Sequence, residues 1–212
     1  MTPKISSIAV ELPTPSKDGG LNIGRALALR RTTRAFAEKD LPQQVLSDLL
    51  WAASGVNREA GPFGAPGITA ASASNSQEID LYVALAEGAY VYHARRHRLE
   101  RVADSDLRAA TMTPGQRGID ARAPVGLIYV ADVAKLARTQ GFEEPGLHDP
   151  ETQKAYYFVD AGLIAGNVYL FAAAHGLAAW FHNCDKSKLQ AALNLRPEQR
   201  PLFAQSVGYP PT

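Results

Sequence analysis

The chain of 212 residues has one cysteine, Cys184, so no intrachain disulfide can form and a reducing compartment suits it. An excess of charge of either sign is also missing, because 22 Lys and Arg face 21 Asp and Glu. That balance gives neither nucleic acid nor an anionic membrane surface a reason to bind. The first twenty residues contain no apolar run, so no signal peptide is expected and the cytoplasm is the default location. No Walker loop and no G-x-G-x-x-G follows a strand-like segment, which speaks against a Rossmann domain. His93 and His97 have three residues between them in an expected hairpin loop with no acidic third ligand, so no metal site is expected. Cys184 and His182 are two apart on the chain, a poor spacing for a productive thiolate pair.

What is present describes a soluble domain with one core: 46% hydrophobic and 20% charged residues. Residues 1–20, with Pro3, Pro13, Pro15 and Gly19-Gly20, read as an extended arm before a single domain over 21–212. Apolar spacing predicts helices over 23–31 and 42–54, with Pro42 in the first turn and Gly55 at a left-handed position past the end. Six Gly and Pro residues then make 55–74 a long loop, of the kind that is functional or disordered in a compact domain. A hairpin follows, from 79–85 and 89–92 across Glu87-Gly88, then a strand buried on both faces over 125–131 and another over 202–207. Between these lies a long helix over 155–175, closed by Gly176. It is apolar on nearly every side, yet Asp160, Asn167 and His175 interrupt it, so it reads as a buried or subunit-interface helix and not as a membrane span.

Four clusters could carry chemistry. Arg30-Arg31-Thr32-Thr33-Arg34-Ala35-Phe36 ends the first helix, and its guanidiniums and hydroxyls suit a phosphate; alone, it equally describes a solvated basic helix end. Ala71-Ser72-Ala73-Ser74-Asn75-Ser76-Gln77 closes the glycine-rich loop, where small residues admit a flat ligand and two amides suit a heterocycle edge or polyol; alone, it is a polar turn. Residues 176–185, running from Gly176 through Trp180-Phe181-His182-Asn183 to Asp185, could line a cofactor or supply core aromatics. Val207-Gly208-Tyr209-Pro210 ends the last strand.

In this order the four clusters resemble the nitroreductase family of FMN flavoproteins, over roughly residues 20–210. The stretches Leu50-Trp51-Ala52-Ala53-Ser54-Gly55-Val56-Asn57-Arg58 and Ala86-Glu87-Gly88-Ala89-Tyr90-Val91-Tyr92, followed by Leu99, are similar to the branch that includes the azoline dehydrogenases. The resemblance implies an α+β fold: a central, mostly antiparallel sheet flanked by helices, with a long buried helix at a homodimer interface. It implies FMN as cofactor, with Arg30, Arg31, Thr32 and Arg34 at its phosphate. The segment Ser72, Ala73, Ser74, Asn75 and Gln77 would lie near the ribityl chain or pyrimidine edge. Phe181, His182 and Asn183 occupy the place where the family presents backbone groups near flavin N5 and O4. Two positions depart from the family: Ala71 replaces a proline, and no basic residue follows the last strand in Pro210-Pro211-Thr212, which leaves phosphate binding to the arginine cluster or to a residue not identified from sequence.

The implied function is NAD(P)H-dependent reduction of a small electron-poor acceptor, a nitroaromatic or quinone, by ping-pong turnover on the FMN and without a catalytic side chain. Oxidation of an azoline-like substrate and flavin binding without turnover are the alternatives. Acceptor choice is expected to rest on residues 59–68 and 107–122.

Overall fold

The computed structural model describes residues 9–117, 123–139 and 148–211. Its centre is a seven-stranded sheet in the order β1-β6-β5-β4-β7-β9-β8, antiparallel at every pairing. In chain order the elements begin with β1 (Ala9–Glu11), α1 (Ile23–Leu29) and α2 (Gln43–Ser54), followed by the short pair β2 (Val56–Arg58) and β3 (Gly67–Ile68). The hairpin β4 (Ile79–Leu85) and β5 (Gly88–His93) leads into β6 (Arg98–Ala103), then β7 (Val125–Asp132) and α3 (Val133–Ala137). The chain continues with α4 (Pro150–Ala174), β8 (Ala178–His182), α5 (Lys186–Ala192) and β9 (Gln199–Gly208).

The continuous apolar run read as a doubly buried strand is β7, in the middle of the sheet and buried at every position. Its alternate side chains feed two cores. Leu127 and Tyr129 face α2 and α4 together with Leu81, Val83, Tyr90 and Tyr92. Ile128 and Val130 face the other way, toward Leu107, Ala110, Leu189 and Leu193. Leu107 and Ala110 therefore pack on the sheet face opposite α4, while 118–122 lie outside the described residues.

Helix α4 is longer than its sequence pattern suggested, because Pro150 and the Asp149 cap start it a turn and a half earlier. It alone among the described helices has the length and composition of a membrane span. A stripe of Gln153, Tyr157, Asp160, Ala161, Ile164, Ala165, Val168 and Ala172 is nonetheless buried. The stripe follows the helical period and faces the sheet, as in the core helix of a globular protein.

Two local expectations meet a different geometry. Gly55 is extended (φ −74, ψ 158) instead of left-handed. Glycine is needed there for space: a Cβ would lie 2.4 Å from Trp51 Cδ1 and 2.7 Å from Trp51 Cα. The segment 55–74 is also less irregular than its Gly and Pro content suggested, since Val56 pairs with Ile68 and Arg58 with Gly67.

Candidate functional site

The arginine segment follows α1 and docks against β8, the edge strand of the sheet, where the Thr33 N–H donates to Ala179 O at 2.9 Å. An unpaired strand edge is a row of free backbone groups, and this segment covers part of it. Around that point three of the sequence-predicted residues gather on Tyr169 of α4. The Thr32 hydroxyl lies 3.0 Å from the Tyr169 hydroxyl, the Arg30 guanidinium sits 5.4 Å over its ring, and Arg31 lines a small cavity with it. Arg34 goes elsewhere, stacking 5.7 Å over Trp180. Arg30, Arg31 and Arg34 are exposed, and none forms an ion pair with a carboxylate among the described residues.

Tyr169 also reaches β8 directly: its hydroxyl accepts the Phe181 N–H at 2.9 Å. The Phe181 ring packs on Tyr129 and Phe203, on the α4 side of the sheet. His182 alternates to the other face and is 5% exposed, with Nδ1 2.9 Å from Asn183 O and Nε2 2.9 Å from Ser206 Oγ. Burial lowers its pKa below 6.5, so the ring is neutral at pH 7. Asn183 is exposed and its Oδ1 accepts the Cys184 N–H. Cys184 itself is buried, and burial pushes its thiol up to about 11, so it is no nucleophile.

The Ser72–Gln77 loop meets α4 at Asp160, near the middle of the helix. Its backbone takes left-handed values at Ser74 (φ 49), Asn75 (φ 56) and Gln77 (φ 49). Such residues cost about 1–3 kcal/mol each, Asn the least, and persist only where surrounding bonds hold them. Here the Ala73 N–H donates to Asp160 Oδ2 at 3.0 Å, the Gln77 N–H to Ser72 Oγ at 3.0 Å, and Gln77 Nε2 to Pro66 O at 2.6 Å and Asn75 Oδ1 at 2.9 Å. The two amides thus tie the serine loop to the glycine-rich segment before it. Backbone strain of this kind clusters at ligand sites.

Asp160 and Tyr169 organise all of this, and nine residues separate them. At about 100° and 1.5 Å per residue they stand on opposite sides of α4, about 13 Å apart along its axis. The two candidate groups are thus kept apart within one chain, the arginine segment with β8 on one side of α4 and the serine loop on the other. Arg30 and Arg31, exposed and without a carboxylate partner among the described residues, stand with the Thr32 hydroxyl around Tyr169 and match a phosphate dianion. The small, strained, amide-bearing loop matches the edge of a flat heterocycle. The donor set present fits FMN. The exposed surface between the halves is apolar: Val159 (60% exposed) and Leu163 (43%) on α4, Ile23 (62%) and Leu27 (59%) on α1. Gly162 and Gly166 lie exposed beside them.

Four residues of this region were not singled out from sequence. Asp160 is conspicuous there as a charge interrupting an apolar helix, a pattern that signals a buried partner. Tyr169 and Glu78 look like ordinary members of a helix and a strand start. Lys39 sits 4.2 Å over the Tyr209 ring, so a cation stands beside the end of β9. Among the described residues no group of three or more His, Cys, Asp or Glu side chains could hold a metal ion.

The chain is similar along most of its length to known proteins. The Nitroreductase family profile matches residues 27–209. A protein of Methanocaldococcus jannaschii named as a nitroreductase is 29% identical over 158 residues, 71% of this chain and 73% of that protein. A solved structure from Ralstonia eutropha, also named as a nitroreductase, is 32% identical with a TM-score of 0.84, over 96% of this chain and 90% of that one. The NADPH:FMN oxidoreductase of Vibrio harveyi, solved with NAD+, is alike in fold, with a TM-score of 0.62 at 17% identity over 90% of this chain and 69% of that one.

Proposed function

The chain belongs to the nitroreductase family, a family of oxidoreductases, and from that premise we propose that it works as an FMN-dependent homodimer, taking hydride from NADH or NADPH and reducing electron-poor acceptors such as nitroaromatics or quinones. One observation carries the reading: the phosphate-suited segment and the heterocycle-suited loop lie on opposite sides of α4, bridged by Tyr169 and Asp160. A second copy packed on the apolar α1–α4 surface would set its serine loop against the first copy's arginine segment, making two complete sites. The exposed Val159, Leu163, Ile23 and Leu27 support such an interface.

Bound FMN would supply the two-electron redox chemistry. Arg30 and Arg31 neutralise its phosphate, and the Thr32 hydroxyl, held by Tyr169, orients it. Arg34 and Lys39 add positive charge nearby without a direct contact. Backbone groups of Phe181 to Asn183 and the amides of Asn75 and Gln77 bound the ring. With the redox chemistry supplied by the flavin, the described side chains would need to provide no nucleophile, and nicotinamide and acceptor would take turns at one site, which makes ping-pong the expected kinetics. A reduced-nicotinamide donor suits a cytoplasmic protein.

The test is direct. Protein mixed with FMN and freed of excess should be yellow, bleach anaerobically with NADH or NADPH, and regain colour when a quinone or nitroaromatic is added. Initial rates at varied donor and acceptor should give parallel double-reciprocal lines. A protein that takes up no FMN overturns the reading, and intersecting lines overturn the alternating scheme.

A further inference from the structure

Glu78 joins the serine loop to β4 and is 0% exposed. Its Oε2 accepts the Ser76 hydroxyl at 2.5 Å, while its Oε1 is buried and takes no hydrogen bond from any described residue. The side chain that meets it is Asp160 of α4, 4% exposed, whose Oδ2 accepts the Ala73 N–H. Ionised carboxylates only accept, so two of them face to face leave each other unsatisfied and repel. Other acids on the packed elements are already matched: Asp80 of β4 by Lys135 of α3, and Asp132 at the end of β7 by Arg196. Among charges, that of Asp160 acts most strongly on Glu78.

We propose that Glu78 and Asp160 hold a single proton between them, and that this proton locks the Ser72–Gln77 loop in the form that grips FMN, so that the grip is firm in mild acid and loosens on the alkaline side of neutrality. The proposal rests on the FMN reading above and makes both acids positioning residues. The geometry is a pair of pins. Ala73 is tethered to Asp160 and Ser76 to Glu78, and the left-handed Ser74 and Asn75 lie between them. While the proton bridges the carboxyls, the pins stay together. Once it leaves, two buried like charges push them apart and the strain falls on Ser74 and Asn75. Burial, followed by the charge of Asp160, raises Glu78 to about 7, so the change falls in the physiological range. Burial raises Asp160 as well, opposed by the Ala73 N–H and by donation from Glu78.

The experiment measures the FMN dissociation constant by quenching of flavin fluorescence from pH 6 to 9, for wild type, Glu78→Gln and Asp160→Asn. Wild-type affinity should weaken about tenfold across that range, the effect of about one unit of differential protonation. Glu78→Gln should be flat and close to the wild-type value at pH 6, because its amide donates to Asp160 where the proton did. Asp160→Asn removes the repelling charge and should move the midpoint to lower pH. Parallel profiles for wild type and Glu78→Gln, or an unmoved midpoint in Asp160→Asn, overturn the proposal. Infrared spectra of the FMN-free protein give a second readout: a protonated-carboxyl stretching band at pH 6, fading by pH 9 and absent in Glu78→Gln. No such band in the wild type overturns the shared proton. A protein that binds no FMN at any pH sinks the functional reading and the grip together, while the infrared band still decides whether the proton is shared.

Discussion

Removing the Tyr169 hydroxyl would leave the Phe181 N–H and the Thr32 hydroxyl each short of a partner, at the point where the arginine segment meets β8. Tyr169→Phe is therefore expected to lower stability by about 1–2 kcal/mol, the usual effect of stranding a half-buried donor, read as a lower urea midpoint. It should also weaken FMN binding, because Thr32 loses its orientation. Arg31→Ala makes the opposite separation. Arg31 is exposed and holds no carboxylate of the described residues, so the fold should melt at the wild-type temperature while FMN affinity drops about 10–100-fold, the loss of one charge-assisted phosphate contact. Unchanged affinity in that variant would remove Arg31 from the phosphate site. The types of these residues made the phosphate-suited cluster legible in sequence. That Arg30 and Arg31 share Tyr169 while Arg34 turns to Trp180 was not, because the segment passes around a sheet edge formed more than a hundred residues later.

The elements were legible in proportion to how far their own side chains determine them. The β7 run and the β4–β5 hairpin carry local signals, a continuous apolar stretch and a turn signal at Glu87-Gly88; both elements stand where expected, with the turn one residue earlier, at Ala86-Glu87. β8 was hidden because Ala178–His182 is short and lies directly after a helix end, and only its pairing with β9 makes it a strand. Gly55 shows the same dependence: helix-end chemistry predicts a left-handed glycine, but the ring of Trp51 decides the matter by leaving no room for a Cβ. Gly55→Ala should thus destabilise through overpacking, by about 1–3 kcal/mol, although its φ suits alanine. On α4 the exposed stripe makes a different prediction. Leu163→Asp puts a charge on a surface proposed to be dry, so sedimentation should show a monomer and FMN affinity should fall with dimer loss. A monomer that binds FMN as tightly as the dimer would contradict the two-copy site.

For the whole molecule, buried titratable groups set how stability follows pH. Burial lowers His182 and His97 from their ordinary 6.5. Their contribution is fully present above pH 6.5 and is lost as pH falls through the lowered values, since the unfolded chain takes up those protons first. Glu78 works the other way. Raised from 4.5 to about 7, it stabilises most below pH 4.5 and its contribution is gone by about pH 7. The two trends oppose each other between pH 4.5 and 6.5. Calorimetry of Glu78→Gln across that window should therefore show melting temperature falling toward acid more steeply than in wild type. Equal slopes would mean that Glu78 is not held protonated by the fold.

The α+β fold came from the resemblance to a family; composition and local pattern were enough for the doubly buried central strand, the long apolar helix, and residue types suited to a phosphate and a flat ring. These follow from side-chain period, turn chemistry and donor geometry, all of which act over a few residues. Tertiary structure alone decided that the suited residues divide between two sides of α4, that Tyr169 and Asp160 anchor them, and that Glu78 meets Asp160. Those relations join positions 80 to 140 residues apart, and no local preference of the chain encodes which distant surfaces will be buried against each other.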